Sequence, residues 1–305
     1  MIRKACLEDK DAIYRLWKEL FAHDDNGYTD YYFENLFECE NTYVKEEDGE
    51  IISTLQRNSH ILMFNDIPIK TSMILGVATR PDKQNQGHMH ALMRQALEDA
   101  EKEEMITLIQ AYDPNIYRPF GFHMEYYRNR TTYHRNQIPV YADLKVDDQV
   151  TPEEICEVYK EFTKRFNAYY IRDVKYFEKY FNEVKAEGGT IVAYRNKETN
   201  KVEGYMVYYL EKFICDIKEI IYLNSWAFLA MMGYAATTRI KVCVHTSDSE
   251  QVLKLLPGGD VQTYPFCMAR INDYSIFNIC YSTAIQNVDE AFKICRKPLF
   301  LHEYA

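Results

Sequence analysis

The sequence lacks the cysteine and histidine patterns of a metal-stabilised or disulfide-stabilised protein. It has no CxxC pair, and no Cys/His group has zinc spacing. Its eight cysteines are scattered, at Cys6, Cys39, Cys156, Cys215, Cys243, Cys267, Cys280 and Cys295. Such scatter predicts reduced and mostly buried thiols. His88 and His90 are two residues apart at a predicted helix start, so they do not share a face, and we expect no metal site.

Long apolar runs and an excess of basic residues are also missing. No stretch approaches the roughly 20 apolar residues of a membrane span. The N-terminal MIRKACLEDK is charged where a signal peptide would be apolar. We therefore expect a cytoplasmic protein with no membrane partner. The net charge of -10 argues against a nucleic-acid partner, because no basic stripe could neutralise phosphates, but it is compatible with a cationic substrate.

What the sequence does contain is enough apolar material for two domains. Hydrophobic residues make up 47% of the 305 residues. The hydrophobic pattern predicts a mixed α/β domain over residues 1–145, including successive strands over 51–59, 60–64 and 69–80. A polar stretch, KVDDQVTPEE, serves as the linker. The pattern then repeats over 150–273, with two helices, antiparallel strands and a strand-helix-strand unit, and 274–305 is left as a C-terminal tail.

A polar joint, Gln84-Asn85-Gln86-Gly87, connects a predicted strand to an amphipathic helix in the first half. The helix has no acid in its first turn, and its acids crowd the C-terminal end. Because the first N–H groups of a helix lack intrahelical partners and carry about half a positive charge, this joint predicts a pyrophosphate site. The alternative is a solvated turn in which Asn85 caps the helix. The matching joint of the second half is only Asn224-Ser225.

Neither GxGxxG nor GxxxxGK[ST] occurs, so a dinucleotide fold and a P-loop are not supported. The stretch GVATRPDKQNQGHM instead resembles motif A of the GNAT superfamily of N-acetyltransferases, with Gln84 at its Arg/Gln position and Gly87 at its first glycine. Met89 replaces the last small residue, and Asn85 stands where glycine is frequent. Downstream, YDPNIYRPFGF is similar to a segment of the enhanced-intracellular-survival (Eis) type.

The Eis resemblance extends over about residues 1–273 and implies the fold. It implies tandem GNAT-like α/β (α+β) domains, each with a mixed, mostly antiparallel sheet flanked by helices. The first, 1–145, would bind acetyl-CoA, and the second, 150–273, would be degenerate. The stretches YKEFTKRFNAYYIRDVKYFEKYF and FCMARINDY look like the opening helices and closing strand of that second domain. A full sterol-carrier-like third domain does not fit in 274–305.

The same resemblance implies how acetyl-CoA would bind, as a cosubstrate and without a metal. The pyrophosphate takes backbone N–H groups of the loop and first helical turn, and the pantetheine pairs with a strand end, where an amide near Val77 polarises the thioester. Tyr112 and Asp113 would touch the coenzyme. The implied cofactor-binding residues are Val77, Ala78, Thr79, Gln84, Asn85, Gln86, Gly87, His88, Met89, His90, Tyr112 and Asp113.

Two catalytic roles are implied as well. Tyr117 matches the tyrosine that protonates the departing thiolate, and the alternative is one more packing aromatic among 26 tyrosines. The terminal carboxylate takes the amine proton in Eis-type enzymes. Here Ala305 is the candidate base, with Glu303 as another, and a frayed tail is the alternative. Asp24 and Asp25 could bind a cationic amine or form a solvated turn.

The resemblance implies an acetyl-CoA-dependent N-acetyltransferase that acts by direct transfer on a primary amine of a small molecule or peptide. A homo-oligomer is compatible with this prediction. One alternative is a paired GNAT-fold binding module that has lost turnover, which Met89 and the missing third domain favour. Another is an aminoacyl-tRNA-dependent transferase, which the negative net charge disfavours.

Overall fold

The computed structural model describes residues 1–22, 26–143 and 145–303. The elements of the first half are β1 (Ile2–Lys4), α1 (Lys10–Leu20), α2 (Tyr28–Asn35), β2 (Thr42–Glu47), β3 (Glu50–Phe64), β4 (Ile67–Thr79), α3 (His88–Glu103), β5 (Ile106–Ile109) and β6 (His123–His134). Those that follow are β7 (Val146–Asp147), α4 (Pro152–Thr163), β8 (Tyr169–Tyr170), α5 (Val174–Ala186), β9 (Thr190–Arg195), β10 (Val202–Leu210), β11 (Ile214–Tyr222), α6 (Ser225–Thr238), β12 (Lys241–Ser247), β13 (Asp260–Ile271), α7 (Tyr274–Tyr281) and α8 (Val288–Lys293). Within these ranges no helix is long and apolar enough to cross a bilayer.

The chain forms two compact units. Unit 1 comprises residues 1–125, 266–295 and 303–305, and unit 2 comprises residues 126–265 and 296–302. The strand order in unit 1 is β1-β2-β3-β4-β5-β13, and in unit 2 it is β6-β12-β11-β10-β9-β7. Each sheet is mostly antiparallel, with one parallel pair, β4 with β5 and β11 with β12. The predicted fold class, tandem α/β domains with mixed sheets, is confirmed.

Helix α3 packs its apolar stripe against the sheet of unit 1. Leu92, Met93, Ala96 and Leu97 are buried in one cluster with residues of the strands, among them Ile74. Counted from Met89, these residues lie at i+3, i+4, i+7 and i+8, a spacing that predicts one buried face, and the prediction is confirmed. Helix α3 forms the crossover connection between β4 and β5, and the two strands therefore run parallel.

The compact units differ from the predicted domains because each unit takes one strand from the other half of the sequence. β6, expected to close the first domain, pairs with β12 from Arg128↔Ser247 to His134↔Lys241. β13, expected to close the second domain, pairs with β5 from Met268↔Ile109 to Ile271↔Ile106. The boundaries at 145, 150 and 273 therefore do not separate the units, since hydrophobic pattern predicts strands but not their partners.

Two other predictions about local structure are corrected. Residues 51–59 and 60–64 are not successive strands, because β3 pairs with β4 through to Phe64↔Ile67. The hairpin turns at Asn65 and Asp66, which both have left-handed φ values, of 48° and 64°. Residues 274–305 are more than a tail, since they contain α7 and α8. Four of the eight free cysteines are buried, two are partly buried and two are exposed, so the prediction that most of the thiols are buried holds for only half of them.

A β-bulge interrupts β4 at Gly76. The register with β3 jumps from Gln56↔Leu75 to Thr54↔Ala78, so Gly76 and Val77 fall in the interruption. Gly76 has φ +58°, and a Cβ there would lie 1.8 Å from Cζ2 of Trp17. Both the left-handed backbone and the contact with the indole require glycine at this position.

The side chain of Gln56 fixes the bulge from the β3 side. Gln56 is fully buried, and with its amide nitrogen directed at the bulge it donates to the carbonyls of Leu75 at 3.1 Å and Gly76 at 3.3 Å. Its oxygen then accepts from Oγ1 of Thr54 at 3.3 Å. The side chain thereby gives two backbone carbonyls at the bulge a hydrogen-bond donor.

We expect Gly76→Ala to destabilise unit 1 by about 2–5 kcal/mol, from about 1–2 for the left-handed backbone and about 1–3 for overlap with Trp17. The matched control is Gly49→Ala. Gly49 has φ +81° but open space around its Cβ position, so only the backbone cost of about 1–2 kcal/mol applies. Urea unfolding, followed through Trp17 fluorescence with Trp226→Phe in both proteins, measures the difference. Equal effects at the two glycines would contradict the account of the bulge.

Candidate active site

A cavity of about 350 Å³ opens in unit 1 where β4 and β5 diverge. The two strands pair only from Thr71↔Ile106 to Ile74↔Ile109, while β4 continues to Thr79. The lining residues are Trp17, Phe21, Tyr28, Thr29, Ile74, Leu75, Gly76, Val77, Gln110, Tyr112, Asp113, Ile116 and Tyr117. Four residues predicted from sequence, Val77, Tyr112, Asp113 and Tyr117, therefore line one cavity.

The bulge gives this cavity its backbone wall. Gly76 and Val77 line the cavity and also lie in the interruption of the β3–β4 register. A backbone N–H that leaves the ladder at such a point is available to an oxygen atom in the cavity. The predicted role of Val77, as donor to a developing oxyanion, fits this position.

Tyr117 lies between two 3-10 turns, Pro114–Ile116 and Arg118–Phe120. Its ring is half-buried and meets Phe122 edge-on, at 6.4 Å between centroids. Burial raises the pKa of the Tyr117 hydroxyl above its ordinary value. The phenol is therefore protonated at neutral pH and can donate its proton to a group formed in the cavity.

Asp113 and Tyr112 have different surroundings at the cavity. The Asp113 carboxylate accepts from the backbone N–H of Asn115 at 2.9 Å and from its side-chain amide at 3.0 Å, so it caps the turn that carries Tyr117. The Tyr112 side chain is 88% exposed. Asp113 thus positions the turn, and Tyr112 stands at the open side of the cavity.

The loop before α3 presents backbone rather than charged side chains. Residues 84–87 are exposed, Asn85 and Gly87 have φ values of +61° and +80°, and the N-cap is Gly87 itself. Gln84 donates from its side chain to the Thr79 carbonyl at 3.2 Å, and Gln86 to the Asp82 carbonyl at 3.3 Å. Asn85 makes no cap, so the alternative of an Asn85-capped helix is wrong, and the first turn contains no acid.

Three residues of the first turn of α3 face different environments. His88 is buried, and among the described residues no hydrogen-bond partner faces either of its ring nitrogens, so only its backbone can serve an exposed ligand. Met89 packs against the core cluster that Val77 and Tyr117 also contact. Met89 therefore directs its side chain into the core. His90 is exposed, with its ring 5.2 Å from that of Phe120.

The corresponding helix in unit 2 begins differently. α6 has Asn224 at its N-cap, and the Asn224 side chain accepts from the backbone N–H of Ala227 at 2.9 Å. This capping occupies the end of the helix with a residue of the chain itself. The contrast with Gly87 supports an anion site in unit 1 and none at the start of α6.

Ala78 and Thr79 lie beyond the bulge and pair with β3. Ala78 is opposite Thr54, and its carbonyl accepts from the Ser53 hydroxyl at 2.8 Å. The Ser53 hydroxyl oxygen also lies 2.8 Å from Oγ1 of Thr79. Neither residue lines the cavity. Their edge toward β5 follows the end of the β4–β5 ladder, where an extended ligand could pair with backbone.

The predicted base and the predicted amine-binding acids lie outside the described residues. These are Ala305, Asp24 and Asp25, and the predictions for them stay predictions. The chain before Ala305 is ordered by contacts: Phe300 and Glu303 are buried, and the Glu303 carbonyl accepts from the side-chain amide of Gln110. The frayed-tail alternative is therefore wrong up to Glu303.

Sequence reasoning missed four residues that build the cavity, Gly76, Gln56, Trp17 and Gln110. One signal was available, because an isolated glycine inside a strand pattern indicates a bulge or a close backbone approach. The other three carry no local signature, since their roles depend on contacts with distant residues. Within the described parts of the chain, no group of three His, Cys, Asp or Glu residues is arranged to hold a metal.

A known family matches the N-terminal part of the sequence. Residues 1–124 match the family model described as an acetyltransferase (GNAT) domain. No curated protein matches the sequence. The N-terminal part of the chain, which holds the cavity and the loop before α3, is therefore similar to GNAT acetyltransferase domains.

Several solved structures share the fold at low sequence identity. A conserved protein from Enterococcus faecalis V583, described as a "Probable N-Acyltransferase", is 20% identical with a TM-score of 0.79, over 91% of this chain and 74% of that one. Eis1 from Mycobacterium abscessus is 13% identical with a TM-score of 0.70, over 91% and 75%. A tandem GNAT protein of clavulanic acid biosynthesis is 12% identical with a TM-score of 0.56, over 90% and 98%. The fold is thus that of tandem and Eis-type GNAT proteins.

We expect Gly87→Glu to weaken CoA binding by at least tenfold. The substitution places a carboxylate at an uncompensated helix start, where charge of that sign repels a pyrophosphate. Gly49→Glu is the matched control, because Gly49 in unit 1 has nearly the same φ and the same open space. Isothermal titration with CoA measures both proteins. An unchanged affinity in folded Gly87→Glu would remove the loop from the coenzyme site.

Proposed function

We propose that the protein is an acetyl-CoA-dependent N-acetyltransferase that transfers the acetyl group directly to a primary amine of a small molecule or peptide. One observation carries the proposal. The bulge residues Gly76 and Val77 and the protonated phenol of Tyr117 line a single cavity at the divergence of β4 and β5. The start of α3 at Gly87 belongs to the same unit, and it has no side-chain cap and no acid in its first turn, as an anion site requires.

The roles of the chain's own residues follow from the charges that direct acyl transfer creates. Attack by a neutral amine places negative charge on the thioester oxygen, and the Val77 N–H donates to that oxygen. Collapse of the intermediate releases a thiolate, whose conjugate thiol has a pKa of about 8.5. The Tyr117 hydroxyl gives its proton to this sulfur. Backbone N–H groups from Asn85 to His90 bind the pyrophosphate.

The base that receives the amine proton is proposed to be the carboxylate of Ala305 in a chain that ends there. What supports this assignment is the course of the preceding residues. Glu303 is buried, and its carbonyl accepts from Gln110, which itself lines the cavity. Ala305 follows Glu303 by two residues, which span at most about 7 Å when extended.

The inactive binding module is the less favoured alternative. Its sequence support was Met89 in place of a small residue, but the Met89 side chain packs on the core cluster and residues 84–87 stay exposed. The aminoacyl-tRNA alternative is disfavoured by the net charge of -10.

A turnover screen tests the proposal itself. The full chain is incubated with acetyl-CoA and a panel of primary amines of small molecules and peptides, and thiol release is followed. Amine-dependent release supports an acetyltransferase. Binding of CoA without release for any amine would favour the module, and no CoA binding at all would leave a transferase with another donor.

We expect Tyr117→Phe to lower turnover by about 10²–10⁴-fold while CoA affinity persists. The change keeps the ring that packs on Phe122 and removes only the hydroxyl proton. Tyr127→Phe is the control, since Tyr127 is 41% exposed and does not line the cavity. Steady-state kinetics and CoA titration measure both variants. Little change in turnover for Tyr117→Phe would mean that Tyr117 is not the general acid and only packs in the core.

Deleting Tyr304 and Ala305 should lower turnover by a comparable factor if the Ala305 carboxylate is the base. Stability should change little, because the buried residues up to Glu303 are kept. The deletion combined with Tyr117→Phe should lose less than the product of the two effects, since acid and base serve one proton-balanced step. An active deletion variant beside an inactive Tyr117→Phe would keep the transferase and discard the carboxylate base.

A further inference from the structure

Unit 2 contains a strand divergence like the one that forms the cavity of unit 1. β11 and β12 are parallel and pair only from Ile214↔Lys241 to Ile217↔Val244, although β11 continues to Tyr222 and β12 to Ser247. The β10–β11 register also jumps at Val207/Tyr208, which leaves Lys218 in a bulge of β11. The position of this divergence corresponds to that of Ile74, Gly76 and Val77 in unit 1.

In unit 2 the divergence is filled by the chain's own C-terminal segment, residues 298–302. Ser247, the last residue of β12, donates from its hydroxyl to the Leu299 carbonyl at 3.0 Å. The His302 ring lies beside β11, with Nδ1 3.9 Å from Oε2 of Glu219. The segment therefore contacts both strands beyond the point where their ladder ends.

The backbone of the segment makes hydrogen bonds like those of a strand added to a sheet edge. The N–H of Asn167 donates to the Pro298 carbonyl at 2.8 Å, and the N–H of Phe300 donates to the Asn167 carbonyl at 3.0 Å. Asn167 and Leu299 form a parallel bridge. Two hydrogen bonds to one residue of the receptor, with alternate side chains directed into pockets, are typical of peptide recognition by strand addition.

Phe300 is the apolar anchor of the segment. Its ring is 1% exposed and lies 4.9 Å from the ring of Phe166 and 5.3 Å from that of Phe162, measured between centroids. The ring of His302 lies 4.2 Å from that of Phe300. Phe300 and His302, two residues apart on an extended chain, thus direct their side chains to the same side of the segment.

The surface beneath His302 is polar, buried and paired. Arg172 donates to both carboxylate oxygens of Glu219, at 3.0 and 2.9 Å, and the Tyr205 hydroxyl donates to Oε1 of Glu219 at 2.8 Å. Both charged side chains are 1% exposed. A buried charge pair of this kind fixes the position of a polar ring more than it adds stability.

We propose that the divergence of β11 and β12 is a peptide-binding site and that residues 298–302 are its ligand in cis. The site takes an extended peptide with an aromatic residue followed two positions later by histidine. The segment joins the rest of the chain through the exposed Arg296, so it is connected as a tethered ligand. Unit 2 is then a GNAT fold whose reaction cavity has become a receptor for the C-terminal segment.

The test uses the full chain with a site-specific protease sequence inserted between Arg296 and Lys297. After cleavage of the folded protein, we expect the fragment to co-elute with the main chain in gel filtration. An isotope-labelled synthetic peptide, KPLFLHEYA, should then replace the fragment within about a day, as mass spectrometry of the eluted protein reports.

Matched variants of the same protein identify the anchor. With Phe300→Ala the fragment should leave on the order of a hundredfold faster, because the buried ring is lost. Pro298→Ala is the control: Pro298 is exposed, and its loss of rigidity changes release by no more than about fivefold.

Three results would overturn the proposal. The first is that the unsubstituted fragment separates from the main chain after cleavage, and that adding the peptide does not reverse this separation or any unfolding that accompanies it. The second is a fragment that never exchanges with labelled peptide, which would make the segment part of the core. The third is equal release for Phe300→Ala and Pro298→Ala. Unfolding that added peptide reverses would support the site.

Discussion

The contact between the Trp17 indole and the backbone of Gly76 is the constraint on which the site of unit 1 depends. It permits no side chain at residue 76, and the left-handed backbone there directs β4 out of its ladder with β3. The Gln56 amide donates to the carbonyls of Leu75 and Gly76 at the bulge. The interruption begins two residues beyond the last β4–β5 pair, and its residues Gly76 and Val77 line the cavity.

The two units illustrate how one layout can be used in two ways. Both contain a parallel pair that diverges after four paired residues, and both cross between these strands with a helix. In unit 1 the helix starts at an uncapped glycine and the divergence is a cavity. In unit 2 Asn224 caps the helix, and the C-terminal segment fills the divergence. The proposals of a coenzyme site in unit 1 and a peptide site in unit 2 rest on these differences rather than on the layout.

Much of the secondary structure follows from sequence alone, because strand and helix patterns are local. The stripe of α3 is an example, and so is the glycine joint at Gly87, whose positive φ and exposed amides agree with its polar sequence. The exchange of β6 and β13 could not be predicted, because spacing identifies strands without choosing their neighbours. The burial of Phe300 to Glu303 was missed for the same reason: its partners, such as Phe166, lie far away in sequence.

The residues of the candidate site could be predicted where they belong to a contiguous motif. They could not be predicted where elements distant in sequence come together. Tyr117 and the loop from Gln84 to His90 came from short stretches of sequence. Gly76 was visible as a glycine within a strand, yet its meaning required Trp17, which belongs to α1. Such contacts are set by packing of the unit, which no local pattern encodes.

The most direct test of the central claim, that the bulge of β4 forms the acyl site, is the carbon-13 resonance of acetyl-CoA labelled at the thioester carbonyl. A donor N–H at Val77 draws electron density from that carbonyl, so the bound resonance should move downfield from that of free acetyl-CoA. A bound acetyl-CoA whose carbonyl resonance is unchanged would contradict the claim.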